Sequence, residues 1–335
     1  MSKILFFGEP LIRISPQNIE NFSNGVQSHL FYGGSEVNIA RTLSGFGQKT
    51  KLISAIPENP IGDSFLRFLQ SQDIDTNCIQ RTGNRMGLYF LENSFGCRQG
   101  QVIYDRKESS LHDYQIEADQ IDHIFSDVDH FHFSGITLSL AKTICDTTKV
   151  LLDEAKKRGL SISFDLNFRS FLIAPEEAKI LFSEFAPYAD YCFGIEPLMI
   201  NDHDIEFFNR NEATNEEIKK RMNDLMDRYD FKAIFHTNRC SDHFGQNVYQ
   251  AYLLNKDKQF YISKELKTPV LQRVGSGDAF VAGALYQIFN NADYQNIVDF
   301  AVASGTYKCV VEGDSMFESV ETITPVLNQF EDIKR

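Results

Sequence analysis

VGSGDAFVAG, residues 274–283, places three glycines and one carboxylate where a helical pattern begins. Val281, Ala284, Leu285 and Ile288 then share one face of the predicted helix. Gly275 and Gly277 permit backbone angles that turn consecutive N–H groups toward one point, and the helix adds partial positive charge at its start. Asp278 stands at that start, where the dipole favours its ionised form. The stretch lacks the G-K-[ST] of a P-loop. From these residues alone it is either a tight turn into a buried helix or an anion cradle beside a base.

The flanking sequence supplies the fold class. HFHFSGI (130–136), an amphipathic segment from Ala141 to Arg158, SISFDLN (161–167) and KAIFHTN (232–238) alternate strand and helix patterns. That rhythm predicts βαβ units, an α/β protein with a mostly parallel central sheet covered on both faces. Residues 11–32 and 86–115 break the rhythm. MGLYFLE (86–92) and QVIYDR (101–106), split by a polar glycine-containing turn, predict a β-hairpin. Both stretches read as a small β-sheet lid inserted into a single domain spanning 1–335.

Composition narrows the class of function. The chain has 335 residues, 42% of them hydrophobic, enough for a sizeable core. Forty-six acidic against 33 basic residues leave a net charge of −13, which repels a phosphate backbone and argues against nucleic-acid binding. Any anionic ligand must be held by local positive groups. No apolar run reaches the ~18 residues of a membrane span. The short apolar run in MSKILFFGEP reads as a first strand, and six scattered cysteines without C-x-x-C suit free thiols. A cytoplasmic protein is expected.

Two further motifs carry possible chemistry. In YGGSEVNIA (32–40), Gly33 and Gly34 precede a helix and leave its N-terminus open to a ligand, with Asn38 one turn inside; a glycine pair here is also an ordinary loop. In FDLNFR (164–169), strand alternation puts Asp165, Asn167 and Arg169 on one side at the carboxyl end of a buried strand, where parallel sheets bind ligands. An Asp–Arg pair capping the next helix is the plainer alternative. His236, Cys240 and His243 lack a fourth metal ligand, and no protein metal site is predicted. His130 and His132 share a strand face and are expected to be packed or hydrogen-bonded.

Taken together, the three glycine and DxNxR motifs resemble those of the ribokinase-like (PfkB) carbohydrate kinases over essentially the whole chain. GEPLIRISP (8–16), Tyr89, Tyr104 with Arg106, SGITLSL (134–140), RVGSGDAF (273–280) and KCVVEGD (308–314) look like the 2-dehydro-3-deoxygluconate kinase branch. The resemblance implies a three-layer α/β/α domain with a β-lid, and transfer of a phosphoryl group from ATP to the primary hydroxyl of a keto-acid sugar, giving the 6-phosphate. Asp278 would be the general base, with Gly275, Ser276 and Gly277 stabilising the transferring group. Gly33, Gly34, Asn38, Tyr89, Tyr104, Arg106, Arg169 and Asp314 would bind the sugar. Asn167 and Arg169, with Gly275 and Gly277, would reach the nucleotide phosphates, and Mg2+ would arrive with ATP. Family lids often pair across a homodimer.

The departures are specific. Gln272 replaces an acidic residue, which weakens inference of a monovalent-cation site. HTNRCSDHFG (236–245) replaces a K-x-G-x-x-G nucleotide loop, and the N-x-x-E element is missing from YCFGIEPLM (191–199). Fructokinase or another ribokinase-like specificity, and a catalytically silent sugar sensor, are therefore the competing expectations.

Overall fold

The computed structural model describes residues 2–210 and 212–328. Ten strands form the main sheet: β1 (Lys3–Phe7), β4 (Lys49–Ile56), β5 (Ile74–Arg81), β8 (His130–Ser134), β9 (Ser161–Asp165), β10 (Tyr191–Phe193), β11 (Ala233–Ser241), β12 (Asn247–Asn255), β13 (Phe260–Ile262) and β14 (Leu266–Thr268). Their order is β13-β12-β11-β10-β9-β8-β1-β4-β5, with β14 beside β12. The run from β11 through β5 is parallel, whereas β12 pairs antiparallel with β11, β13 and β14.

Burial on both faces explains the apolar strand sequences. Along β1, Leu5 and Phe7 join one core cluster while Ile4 and Phe6 join the other, on alternate sides of the sheet. The predicted amphipathic segment is the helix Lys142–Lys157, burying Ile144, Leu151, Leu152 and Ala155. Buried His130 and His132 both hydrogen-bond Ser163 Oγ at 2.7 Å, and burial holds the His132 pKa down at about 3. They are neutral packing groups. All six cysteines are free. Among the described residues no helix is long and apolar enough to cross a membrane.

After β1 the chain builds β4 and β5 on one side, then returns to add β8 to β11 on the other. Such a reversal leaves a crevice beyond the carboxyl ends of the strands. Over it lies a second sheet of β2 (Leu11–Pro16), β3 (Ser28–Gly33), β6 (Gly87–Glu92) and β7 (Gln101–Asp105), ordered β3-β2-β6-β7. The expected hairpin is present, with Tyr89 opposite Tyr104. Register gives this sheet two faces: Phe31, Arg13, Tyr89 and Tyr104 form one cross-strand row, and Leu30, Ile14, Phe90 and Ile103 form the neighbouring row on the other face. Beyond β7 the chain rejoins the main body, where Leu111 and Tyr114 enter its core.

Candidate active site

One cavity of about 680 Å3 occupies the crevice, and of all the predicted site residues only Gly33 is absent from its wall. Gly33 lies beneath: a Cβ there would sit 2.6 Å from Asp314 Oδ2. Gly34 is the cap residue of the helix Ser35–Gly45, with φ +120° and only 2.2 Å between a notional Cβ and the Glu9 carbonyl oxygen. The predicted loop therefore needs glycine for backbone fit. The open helix end beyond it carries Ser35 and Asn38 to the cavity.

Asp278 lies in the first turn of the helix Ser276–Phe289, whose start at Gly275 (φ +76°) has no side-chain cap. Its Oδ2 accepts from Asn38 Nδ2 at 2.7 Å and its Oδ1 from Ser35 Oγ at 3.3 Å. Asn167 Nδ2 in turn donates to Ser35 Oγ at 2.8 Å. This chain of donors fixes the carboxylate's orientation. Surrounding protein raises the Asp278 pKa to about 6, against the pull of Asn38 and Arg169. A carboxylate there ionises near neutrality yet holds a proton more readily than a free one, as a general base requires.

Two neighbouring acids feel the same crowding. Burial and the Asp278 charge raise Asp165 to about 8, and burial raises Glu36 to about 7 despite hydrogen bonds from Ser134 and Thr137. The DxNxR residues do not line up by strand alternation as predicted, because β9 ends at Asp165. Asn167 turns to φ +33°, its N–H donating to Asp165 Oδ1 at 3.1 Å. That turn delivers Asp165, Asn167 and Arg169 to the cavity together. Asp165 and Arg169 form no ion pair within 4.0 Å, and the next helix, Pro175–Phe185, starts at Ala174 with no side-chain cap, so the capping alternative fails.

The lid contributes pairs that the sequence did not reveal. Arg13 is fully buried, with Nε 2.8 Å from Asp314 Oδ1 and Nη2 donating to Gln272 Oε1 at 3.0 Å. Tyr89 donates its hydroxyl to Asp314 Oδ2. Gln272 also accepts from Gly313 N–H at 2.7 Å, so the residue replacing the family acid ties the lid to the main body. Arg106 is buried and donates through Nε and Nη2 to Glu9 Oε2. Strand alternation in LIRISP was the available signal for Arg13, since its apolar neighbours Ile12 and Ile14 face the other way. Nothing comparable marked Glu9.

The opposite end of the cavity, toward β10 and β11, holds Arg210, Arg239 and Arg273 beside Arg169. Among the described residues none of the four forms an ion pair within 4.0 Å. Glu196, also in the wall, is neutralised by Lys179 at 3.3 Å and Arg221 at 2.7 Å. His236 is buried with its pKa held down at about 3, and no group of three or more His, Cys, Asp or Glu among the described residues is placed to hold a metal ion.

Comparison with known proteins places this geometry. The family model "pfkB family carbohydrate kinase" matches residues 1–319. The chain belongs to the pfkB family. As a pfkB carbohydrate kinase it is a phosphotransferase acting on an alcohol group of a sugar. It is 25% identical over 326 residues to a 2-dehydro-3-deoxygalactonokinase of Haloferax volcanii, covering 97% of this chain and 96% of that one. A 2-dehydro-3-deoxygluconokinase structure from Thermotoga maritima superposes with TM-score 0.88 at 28% identity, over 98% and 100% of the two chains. A Xylella fastidiosa fructokinase with bound ATP, 19% identical and covering 98% of each chain, shares the fold with TM-score 0.74. The pfkB fold thus accounts for the parallel sheet and its lid alike.

Proposed function

We propose that this pfkB kinase transfers the γ-phosphoryl group of ATP to the primary hydroxyl of 2-dehydro-3-deoxygluconate or a close keto-acid sugar, giving the 6-phosphate. The observation carrying this reading is Asp278 held by Asn38 and Ser35 beside the uncapped helix start at Gly275. Asp278 takes the hydroxyl proton as the sugar oxygen bonds to the γ-phosphorus; the bond from phosphorus to the β,γ-bridging oxygen breaks, and ADP leaves. N–H groups of the Gly275–Gly277 turn face the charge on the transferring group. Mg2+ would arrive on the triphosphate and would supply further charge neutralisation there; the wall carboxylate Glu196 is already paired with Lys179 and Arg221.

Tyr89, Tyr104 and Arg106 meet the sugar from the lid, Gly34 and Asp314 from below. Glu9 uses the Nε side of the Arg106 guanidinium, which leaves Nη1 for a substrate carboxylate. The same pairing cancels the charge of Arg106, so preference for an acid sugar rests on the direction of its donors. That favours fructose as the second candidate. Release of ADP is the test, with 2-dehydro-3-deoxygluconate, its galacto epimer, fructose, ribose and gluconate as acceptors. Turnover of the keto-acid sugars supports the assignment, and turnover of fructose alone replaces it with a fructokinase.

Pairing of two lids in a homodimer belongs to the same proposal. Leu30 and Ile103, each 51% exposed, end the apolar row that includes Ile14 and Phe90. A second copy would cover that row and the exposed strand edges. Sedimentation of Ile103→Asp against the unaltered chain checks it, with a shift to monomer expected.

A further inference from the structure

Arg239 is the residue the functional reading leaves without a task. It belongs to the stretch that departs from the family's nucleotide loop, and the structure gives the physical form of that departure. β11 runs on through this stretch to Ser241 and pairs with β12 as far as Asn247. Arg239 therefore sits on a paired strand opposite Tyr249. Its guanidinium carbon lies 4.1 Å from the Tyr249 ring centroid, Nη2 donates to the Tyr249 hydroxyl at 2.5 Å, and Nη1 donates to Ser276 Oγ at 2.9 Å. A Cβ on Gly277 would meet only Arg239 Nη2, at 3.7 Å. The guanidinium is thus fixed against the first turn of the helix that bears Asp278.

Its charge is met by a ring face and two hydroxyls and not by a carboxylate. Nε is buried without a hydrogen-bond partner, and no carboxylate lies within ion-pair distance among the described residues. Arg210, also in the cavity wall, has its pKa lowered by the protein crowded round it and then by the charge of Arg239, with Glu196 pulling the other way and Arg169 adding a smaller push down. In a chain of net charge −13, three arginines facing one cavity without an ion-pair partner among the described residues form a local positive site suited to an anion. A planar fork fixed by stacking suits tetrahedral phosphate oxygens better than a mobile ammonium would.

We propose that Arg239 grips the transferring phosphoryl group, a strand-borne arginine that does the work of the missing loop at the polyphosphate end. This rests on the kinase reading above, but its test does not depend on which sugar is the acceptor. The direct probe is inorganic tripolyphosphate, titrated calorimetrically into the unaltered chain, Arg239→Ala and Arg239→Lys, alongside kcat, KM for ATP and sugar affinity.

Arg239→Ala is expected to weaken tripolyphosphate binding at least about tenfold and to lower kcat by about 100-fold, the scale of losing one charge-stabilising donor. Sugar affinity should stay within about threefold, and guanidinium ion in the buffer should restore part of kcat. Arg239→Lys keeps the charge without the fork, so its kcat should still fall although tripolyphosphate is retained. Full kcat in the lysine variant overturns the proposal, including where the alanine variant fails to fold. So does unchanged tripolyphosphate affinity, or a loss shared with sugar affinity and not restored by guanidinium, which would make Arg239 a strut for Ser276. An unaltered chain that binds tripolyphosphate through Arg239 yet turns over no sugar would refute the proposed function and leave this inference standing.

Discussion

The two ends of the cavity hold their charges in opposite ways. Toward the lid every cation is matched: Arg13 by Asp314, Arg106 by Glu9. Toward β11 the arginines face the cavity, and among the described residues none of them has a carboxylate within ion-pair distance. A matched pair fixes geometry and carries little field, so it suits a ligand recognised by its hydroxyl pattern. An unmatched group of cations carries field, so it suits a polyanion and is indifferent to the rest of the ligand. The lid end is thus built for discrimination and the far end for grip, with Asp278 between them.

The largest effect should come from that junction. Asp278→Asn is expected to lower kcat by roughly 100- to 10,000-fold while both ends keep their ligands, because Asn38 and the helix start survive. Separate titrations of sugar and of ATP check it, and joint loss of both affinities would show that the ends are not independent. Stability should divide the ends next. Arg13→Met strands Asp314 in the interior and should cost about 3–5 kcal/mol in urea unfolding, whereas Arg210→Met should change stability by less than about 0.5 kcal/mol. Equal losses would erase the contrast.

Salt sharpens it further. Raising ionic strength should increase KM for ATP and leave sugar affinity nearly constant, because screening acts on the open cations and spares the buried pairs. The smallest effect is in pH. Asp278, Glu36 and Asp165, at about 6, 7 and 8, stand above ordinary carboxylates, so the folded chain holds more protons than the unfolded one between about pH 4 and 8. Their contribution to stability is therefore full in acid and is lost as pH rises through those values. Melting temperature should fall across that window, less steeply in Asp165→Asn. Turnover runs the other way, declining below about pH 6 as Asp278 takes up its proton.

The same contrast marks what sequence could reveal. Strand and helix rhythm, the lid hairpin, and motif residues such as Asp278, Asn38 and Asn167 were legible because each depends on local periodicity or on a short motif. Glu9 and Ser35 were not, since their roles are set by partners 97 and 243 residues away along the chain. Arg239 was hidden because the departing loop read as a deficit, whereas pairing with β12 turned it into a longer strand. The cluster at Glu196 shows the limit too: no local pattern marks Asp204, yet it lies 2.7 Å from Arg221 in a network with Glu196 and Lys179.

Asp314 links two motifs that look independent in the chain. Its side chain fills the space a Cβ at Gly33 would take, 2.6 Å from Oδ2, and its carbonyl oxygen does the same to Gly275, at 1.6 Å. In evolutionary terms the glycine at 33 is therefore epistatic with the side chain at 314, whereas the glycine at 275 answers only to its backbone. A relative that shrank residue 314 would relax the demand for glycine at 33, but 275 would stay constrained, because the group crowding it is backbone and its own φ is +76°.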